Sequence, residues 1–307
     1  MTSTFASAYS SALRAAFEAA GHQNYPPGAL YVAATPIGNL ADITLRALHV
    51  LGLADTIACE DTRHTQALLR AYGIDKSSAQ LLAVHQHNEA EAAQTVIDRL
   101  RQGQRVAYAS DAGTPAISDP GARLVAAVRL ASLQVVPLPG ASSVTAALSV
   151  AGIADEGAQH GAFVFAGFLS SKSTERATVV ETLRGEARAV VLLEAPHRIE
   201  ALASALAALG TRPLTIGREL TKQFEEIATV SAEGFPAWLA QDANRLRGEF
   251  VLVLHPAPTE VHSGPDTRVL KLLLEQLPLK TAVKLTADIT GEPRNALYEL
   301  ALGLKEV

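Results

Sequence analysis

RVAYASDAGTPAISDPG, residues 105–121, is the stretch on which the fold turns. A run of strand length, residues 105–110, breaks at a loop holding two glycines and two prolines, and an amphipathic segment follows. Strand, tight loop and helix in that order mark a βα unit of a mostly parallel sheet. Working outward, the same alternation recurs. LYVAAT (30–35), TIAC (56–59), LLAV (81–84) and QVVPL (134–138) each run into a polar or Gly/Pro cluster. Asn88 reads as the N-cap of EAEAAQTVIDRL and Gly103 as its end. Five strands with intervening helices are therefore predicted between residues 29 and 152.

A second α/β series begins near residue 161 with FVFAG, then AVVLLE (189–194), LTIGREL and EFVLVL (249–254). The join falls at residues 154–160. HPAPTEVHSGPD (255–266) carries three prolines and one glycine and reads as a linker. VLKLLLEQL, LKTAVKLTADITG and PRNALYELALGL then predict two or three short helices, with Gly291 and Pro293 in a tight turn. The expected division is an extension (1–27), an N-terminal α/β domain (28–157), a C-terminal α/β domain (158–256), a linker (257–266) and a helical tail (267–307).

The composition suits packed cores: of 307 residues 48% are hydrophobic and 19% charged. No apolar run reaches membrane-spanning length. A single cysteine, Cys59, excludes an intrachain disulfide, and together with an N-terminus lacking a secretory pattern it points to the cytoplasm. The net charge of −5 weighs against nonspecific nucleic-acid binding, so an RNA reading must rest on motifs.

In an open parallel sheet, ligands bind beyond the carboxyl ends of the strands. There the chain places Thr35 to Leu40, Glu60 to His64, His85 with His87 and Asn88, the loop 110–121, and Pro139 to Ser143. Gly113 allows close backbone approach and Thr114 offers a hydroxyl. The bland alternatives are a structural strand-to-helix loop for 110–121 and a helix cap at Ser142 or Ser143. No GxGxxG or GxxxxGK[ST] occurs, which removes the common dinucleotide and triphosphate motifs. Val144 stands where a GxSxG elbow needs glycine, which disfavours a serine hydrolase. Glu60, Asp61, His64, His85 and His87 match no zinc or iron spacing and read as solvated loop residues, so no metal is expected.

Taken together, TPIGNLADITLRAL, CEDTRHT, SDAGTPAISDPG, PLPGASSVTAAL, FVFAGFL, LLEAPHR, GRELTKQFEE and GEFVLVL resemble the tetrapyrrole methylase superfamily. Within it they are most similar to the 16S rRNA cytidine-2′-O-methyltransferases, whose helix-turn-helix appendage the tail resembles. The resemblance implies two α/β domains with S-adenosyl-L-methionine in the cleft between them. Carried over by motif, its contacts would be Pro36, Gly38, Gly113, Thr114, Ile117, Ser142, Ser143, Phe168 and Leu169. Small-molecule relatives usually carry GDP where this chain has Gly113-Thr114-Pro115, which replaces a carboxylate by a hydroxyl.

A ribose hydroxyl is a weak nucleophile and calls for a base or a cationic neighbour. The expected arrangement sets Glu60, Asp61, Arg63 and His64 across the cleft from Glu194, His197 and Arg198. Asp61, His64, Glu194 and His197 are then the catalytic candidates, and Arg63, Arg198, Lys222, Lys280 and Lys284 the RNA contacts. Each residue of the two facing segments could instead be an interdomain ion-pair residue, and Lys222 could instead stabilise the turns of its own domain. From residue 266 onward six basic positions balance six acidic ones, so charge alone does not make the tail an RNA binder. The expected partner is 16S rRNA in the assembled 30S subunit, and the chain is expected to form a homodimer. The alternatives are a small tetrapyrrole as methyl acceptor and a noncatalytic ribosome-assembly factor of the same fold.

Overall fold

The computed structural model describes residues 3–85, 88–118, 121–153, 161–257 and 267–305. The join at 154–160, most of the linker, His87, Asp119 and Pro120 lie outside the described residues. The chain divides into two units, residues 1–257 and 258–307.

The first half of the larger unit opens with α1 (Ser3–Ala20), followed by β1 (Ala29–Ala33), α2 (Leu45–Leu53), β2 (Thr56–Cys59) and α3 (Thr62–Ala71). It continues through β3 (Leu81–Ala83), α4 (Glu89–Arg101), β4 (Val106–Ala109), α5 (Ala122–Leu130), β5 (Gln134–Leu138) and α6 (Ser143–Val150). Its five strands lie in the order β3-β2-β4-β1-β5, all parallel. β2 and β4 are buried along their whole length, as expected of central strands covered on both faces. Alternation does the rest. Tyr31, Ile57 and Ala107 meet Leu48, Leu51, Leu69 and Tyr72 on one face. Leu30, Ala58 and Tyr108 meet Val96, Leu100 and Leu124 on the other.

β1 and β4 are neighbours whose crossovers depart in opposite directions, β1 toward β2 and β4 toward β5. That reversal opens a crevice at their carboxyl ends. α1 adds Ala16 to the core beside α2, so the N-terminal extension is a packed helix over the residues described.

The second half holds β6 (Phe163–Gly167), α7 (Ser173–Leu183), β7 (Ala189–Glu194), α8 (Ile199–Leu206), β8 (Pro213–Arg218), β9 (Glu226–Ser231), α9 (Phe235–Ala240) and β10 (Phe250–Leu254). The order is β6-β7-β10-β8-β9, and only β6 and β7 run parallel. The second α/β series is thus a mixed sheet, unlike the all-parallel first one. The sequence reading missed β9 because EIATVS is a half-exposed edge strand with no apolar run. One face of this sheet packs on Ile199, Leu202, Leu206, Phe235 and Trp238. Its other face, through Val191, Leu193, Val251 and Val253, takes Val144 and Ala147 of α6. The two halves thus share a core directly beside the crevice.

The smaller unit is α10 (Thr267–Leu274), α11 (Leu279–Thr290) and α12 (Arg294–Lys305) around Leu270, Val283, Leu297 and Ala301. Gly291, at φ 75°, closes α11 with the left-handed residue a helix C-terminus favours.

Candidate active site

Two loops meet over the crevice. The Thr35 amide donates to the Gly113 carbonyl (2.9 Å), the Gly113 amide returns to the Thr35 carbonyl (3.0 Å), and the buried Thr35 hydroxyl donates to the Ser110 carbonyl (3.1 Å). Gly113 sits at φ 78°, with Ile37 close to where a Cβ would stand. Thr114 Oγ1 donates to the Ala141 carbonyl (3.0 Å), tying in the loop after β5. Ser142 is the N-cap of α6, yet its side chain makes no capping bond, which leaves the hydroxyl and the first-turn amides directed at whatever fills the space beyond. The cap reading of PGASS therefore holds for position and fails for the hydrogen bond.

That space is a cavity of about 290 Å³. Gly113, Thr114, Ile117, Ser142 and Ser143 line the side toward the first sheet, and Phe168, Leu193, Glu194, Phe250 and Val251 the side toward the second. A side groove of about 420 Å³ adjoins it, lined by Pro36, Gly38, His64, Ala67, Asp111 and Lys222 among others. Ile37, Ala112 and Glu249 line both spaces.

Of the nine residues expected to hold the cofactor, Gly113, Thr114, Ile117, Ser142, Ser143 and Phe168 converge on the main cavity. Pro36 and Gly38 border the side groove instead. Leu169 is buried and lines neither; its carbonyl accepts from Arg198.

The catalytic candidates separate in the same way. Glu194, 3% exposed, faces the main cavity and pairs with Arg198 at 3.1 Å. His64 faces the side groove, and His197 is exposed and lines neither. Asp61 caps α3. The amide and guanidinium of Arg63 and the amide of His64 hold its carboxyl below the usual range, and it lines neither space. In place of the expected confrontation of the Asp61 segment with the Arg198 segment, the structure has two adjoining chambers with Ile37, Ala112 and Glu249 in both linings.

Two expected RNA contacts are turned inward. Arg198 is engaged by Glu194 and the Leu169 carbonyl, and Lys222 Nζ lies 2.8 Å from both Glu219 and Glu249. Burial pulls the Lys222 ammonium down, but the two carboxylates outweigh it and hold it above its usual range. Arg63 remains exposed, as do Lys280 and Lys284 on α11. Burial pushes the Cys59 thiol up to about 11, which leaves it an inert core residue.

Sequence reasoning missed Leu220, Glu249, Phe250 and Val251. Phe250 pairs with both Glu194 and Arg218 across an antiparallel sheet, so the start of β10 lies at the edge where β7 and β8 end. A search confined to strand carboxyl ends passes over it. The turn after β8 closes the rim. Glu219 and Thr221 both adopt positive φ (51° and 67°), and a Cβ on Gly38 would stand 2.3 Å from Lys222 Cγ. Glycine at 38 lets the loop after β1 close on this strained turn.

Residues 29–235 match the family model of Tetrapyrrole (Corrin/Porphyrin) Methylases, and residues 263–305 match that of the RsmI C-terminal HTH domain. The chain belongs to the tetrapyrrole methylase family and is a methyltransferase. It is 48% identical, over 91% of its length and 94% of the relative's, to Ribosomal RNA small subunit methyltransferase I of Neisseria meningitidis. Against the protein of the same name from Escherichia coli O157:H7 the identity is 44%, covering 90% of this chain and 95% of that one. Among solved structures, uroporphyrin-III-C-methyltransferase from Thermus thermophilus shares the fold at TM-score 0.52 and 21% identity, covering 74% of this chain and 94% of that one. A second structure of a Thermus thermophilus uroporphyrin-III C-methyltransferase, at TM-score 0.50 and 18% identity, covers 74% of this chain and 96% of that one and is complexed with S-adenyl homocysteine.

Proposed function

We propose that this chain transfers the methyl group of S-adenosyl-L-methionine to a cytidine ribose 2′-hydroxyl of 16S rRNA in the small ribosomal subunit. The observation that carries the reading is the cavity between the glycine- and serine-bearing loops of the first sheet and the edges of β7 and β10. The names of the relatives, at 48% and 44% identity over nine-tenths of the chain, support the RNA substrate.

The cavity suits the donor. Besides the Glu194 and Glu249 carboxylates, its polar groups are backbone amides and hydroxyls that can hold an amino acid and a ribose, and Ile37, Leu193 and Val251 form apolar walls for an adenine. When bound, S-adenosyl-L-methionine supplies a methyl group on a positively charged sulfur. Gly113, Thr114, Ser142 and Ser143 would hold it, and Phe168 and Ile117, each 54% exposed, would be covered by it. Glu194 presents a carboxylate to that charge, with Arg198 fixing its direction. The apolar walls exclude water from a reaction that depends on alignment.

We assign residues 28–157 to donor binding and residues 158–256 to the opposing wall. The helical tail docks rRNA, with Arg63, Lys280 and Lys284 as exposed phosphate contacts. A homodimer acting on assembled 30S subunits in the cytoplasm completes the reading. The test is tritium transfer from labelled donor, offered in parallel to bare 16S rRNA, 30S subunits and a porphyrinogen. Label in the 30S arm is expected; label only in the porphyrinogen would overturn the substrate. Removal of residues 258–307 is expected to leave calorimetric donor binding intact while cutting transfer to RNA at least tenfold.

A further inference from the structure

The side groove is lined largely by residues that the main cavity does not use, although Pro36 and Gly38, two of the expected donor contacts, border it. It nevertheless borders that cavity, since Ile37, Ala112 and Glu249 belong to both linings. Its character differs too. One flank is the face of α3 that carries His64, Ala67, Leu68 and Ala71 at helical spacing, and across it stand Asp111, Lys222 and Glu249. An apolar flank with one ring, opposite two carboxylates and an ammonium, suits an object that is planar on its faces and polar on its edges. A nucleobase is such an object, and sequence-specific RNA enzymes take bases unstacked from the chain.

We infer that the side groove seats the single unstacked nucleoside that accepts the methyl group, with its base against His64 and Leu68 and its sugar toward Glu249. This rests on the RNA reading above. Among the described residues, Glu249 is the one ionisable group lining both chambers, which sets its carboxylate where donor and acceptor must meet. In the transfer, the ribose oxygen forms a bond to the methyl carbon as the carbon–sulfur bond breaks. The sulfur leaves as a neutral thioether, and the hydroxyl proton passes to the Glu249 carboxylate. Lys222, 2.8 Å from that carboxylate and anchored by Glu219, positions it.

Ala67 is exposed on α3, so a bulky side chain there fills the groove without disturbing a core. Ala67→Trp is expected to bind S-adenosylhomocysteine as wild type by calorimetry while transfer to 30S subunits falls at least 100-fold. Ala67→Leu, a milder block, should lower it about tenfold and replaces the first variant if that one fails to fold. Glu249→Gln should retain binding of S-adenosylhomocysteine and lose at least 100-fold in single-turnover rate. Transfer within threefold of wild type in a folded Ala67→Trp or Ala67→Leu protein, or in Glu249→Gln, overturns the inference. So does loss of binding in the Ala67 variants, which would make the groove part of the donor chamber. If the wild-type protein binds no S-adenosylhomocysteine, the function proposed above fails instead.

Discussion

The two sheets hold their shares of the cleft by different means. The first sheet uses backbone geometry. Thr35 and Gly113 exchange main-chain hydrogen bonds, Gly113 and Gly121 adopt positive φ, and the buried Glu89 of α4 accepts the amides of Gly121 and Arg123 at the start of α5. The second sheet uses charged side chains. Arg198 joins Glu194 to the Leu169 carbonyl, Arg218 and Arg245 share Glu226, and Lys222 bridges Glu219 and Glu249. Topology explains the contrast. Parallel strands deliver every loop to one edge, where peptide groups can do the binding, whereas the mixed sheet brings β7, β8 and β10 together from different parts of the chain and needs side chains to fix their ends.

The two halves should therefore break under different insults. The largest effect is expected from Gly121→Val. At φ 122° an L side chain is strained, and its Cβ would stand 2.2 Å from the ring of Tyr108, which is fully buried. A loss of about 4 kcal/mol, from strain plus overpacking, should appear in urea unfolding. A loss below about 1 kcal/mol would mean that the first half tolerates rearrangement at its glycines.

Next comes Arg198→Ala, which strands the Glu194 carboxylate in a buried position. About 3 kcal/mol should be lost, and adding Glu194→Gln should restore part of it, so a double-mutant cycle with a clearly non-zero coupling is expected. Additive single effects would remove charge pairing as the device that holds the β7 end.

The smallest effect concerns the triad at Lys222, comparing wild type with Lys222→Met across pH. Burial pushes the Glu219 carboxyl up, but the Lys222 ammonium and the Glu249 amide outweigh it and hold it below its usual range. A depressed carboxyl contributes stability above its unfolded range and loses it as pH falls through the folded one. The raised Lys222 ammonium contributes below the usual lysine range and loses its share as pH rises through its folded value. The melting-temperature difference between the two proteins should be largest near neutrality, worth under about 1 kcal/mol because Glu249 is largely exposed, and should shrink toward both extremes. A difference independent of pH would show that the lysine acts there by packing alone.

The sequence made the first half legible almost to the residue. LYVAAT, TIAC, LLAV, RVAYAS and QVVPL all became strands, and the rule that ligands sit beyond strand carboxyl ends led to Gly113, Thr114, Ser142 and Ser143. The second half was less legible because its signals are not local. EIATVS lacks an apolar run, and nothing in GEFVLVL tells that its first residues will lie beside Glu194.

What the sequence determined by itself is the alternation of strands and helices, the glycine and serine loops, and the families they resemble, since periodicity and turn chemistry act over a few residues. Tertiary structure alone decided that Glu249 stands between two chambers, that Arg198 reaches the Leu169 carbonyl and that Lys222 reaches Glu249. Those facts depend on antiparallel pairing and on the partner each charge finds across space, and a linear pattern carries neither.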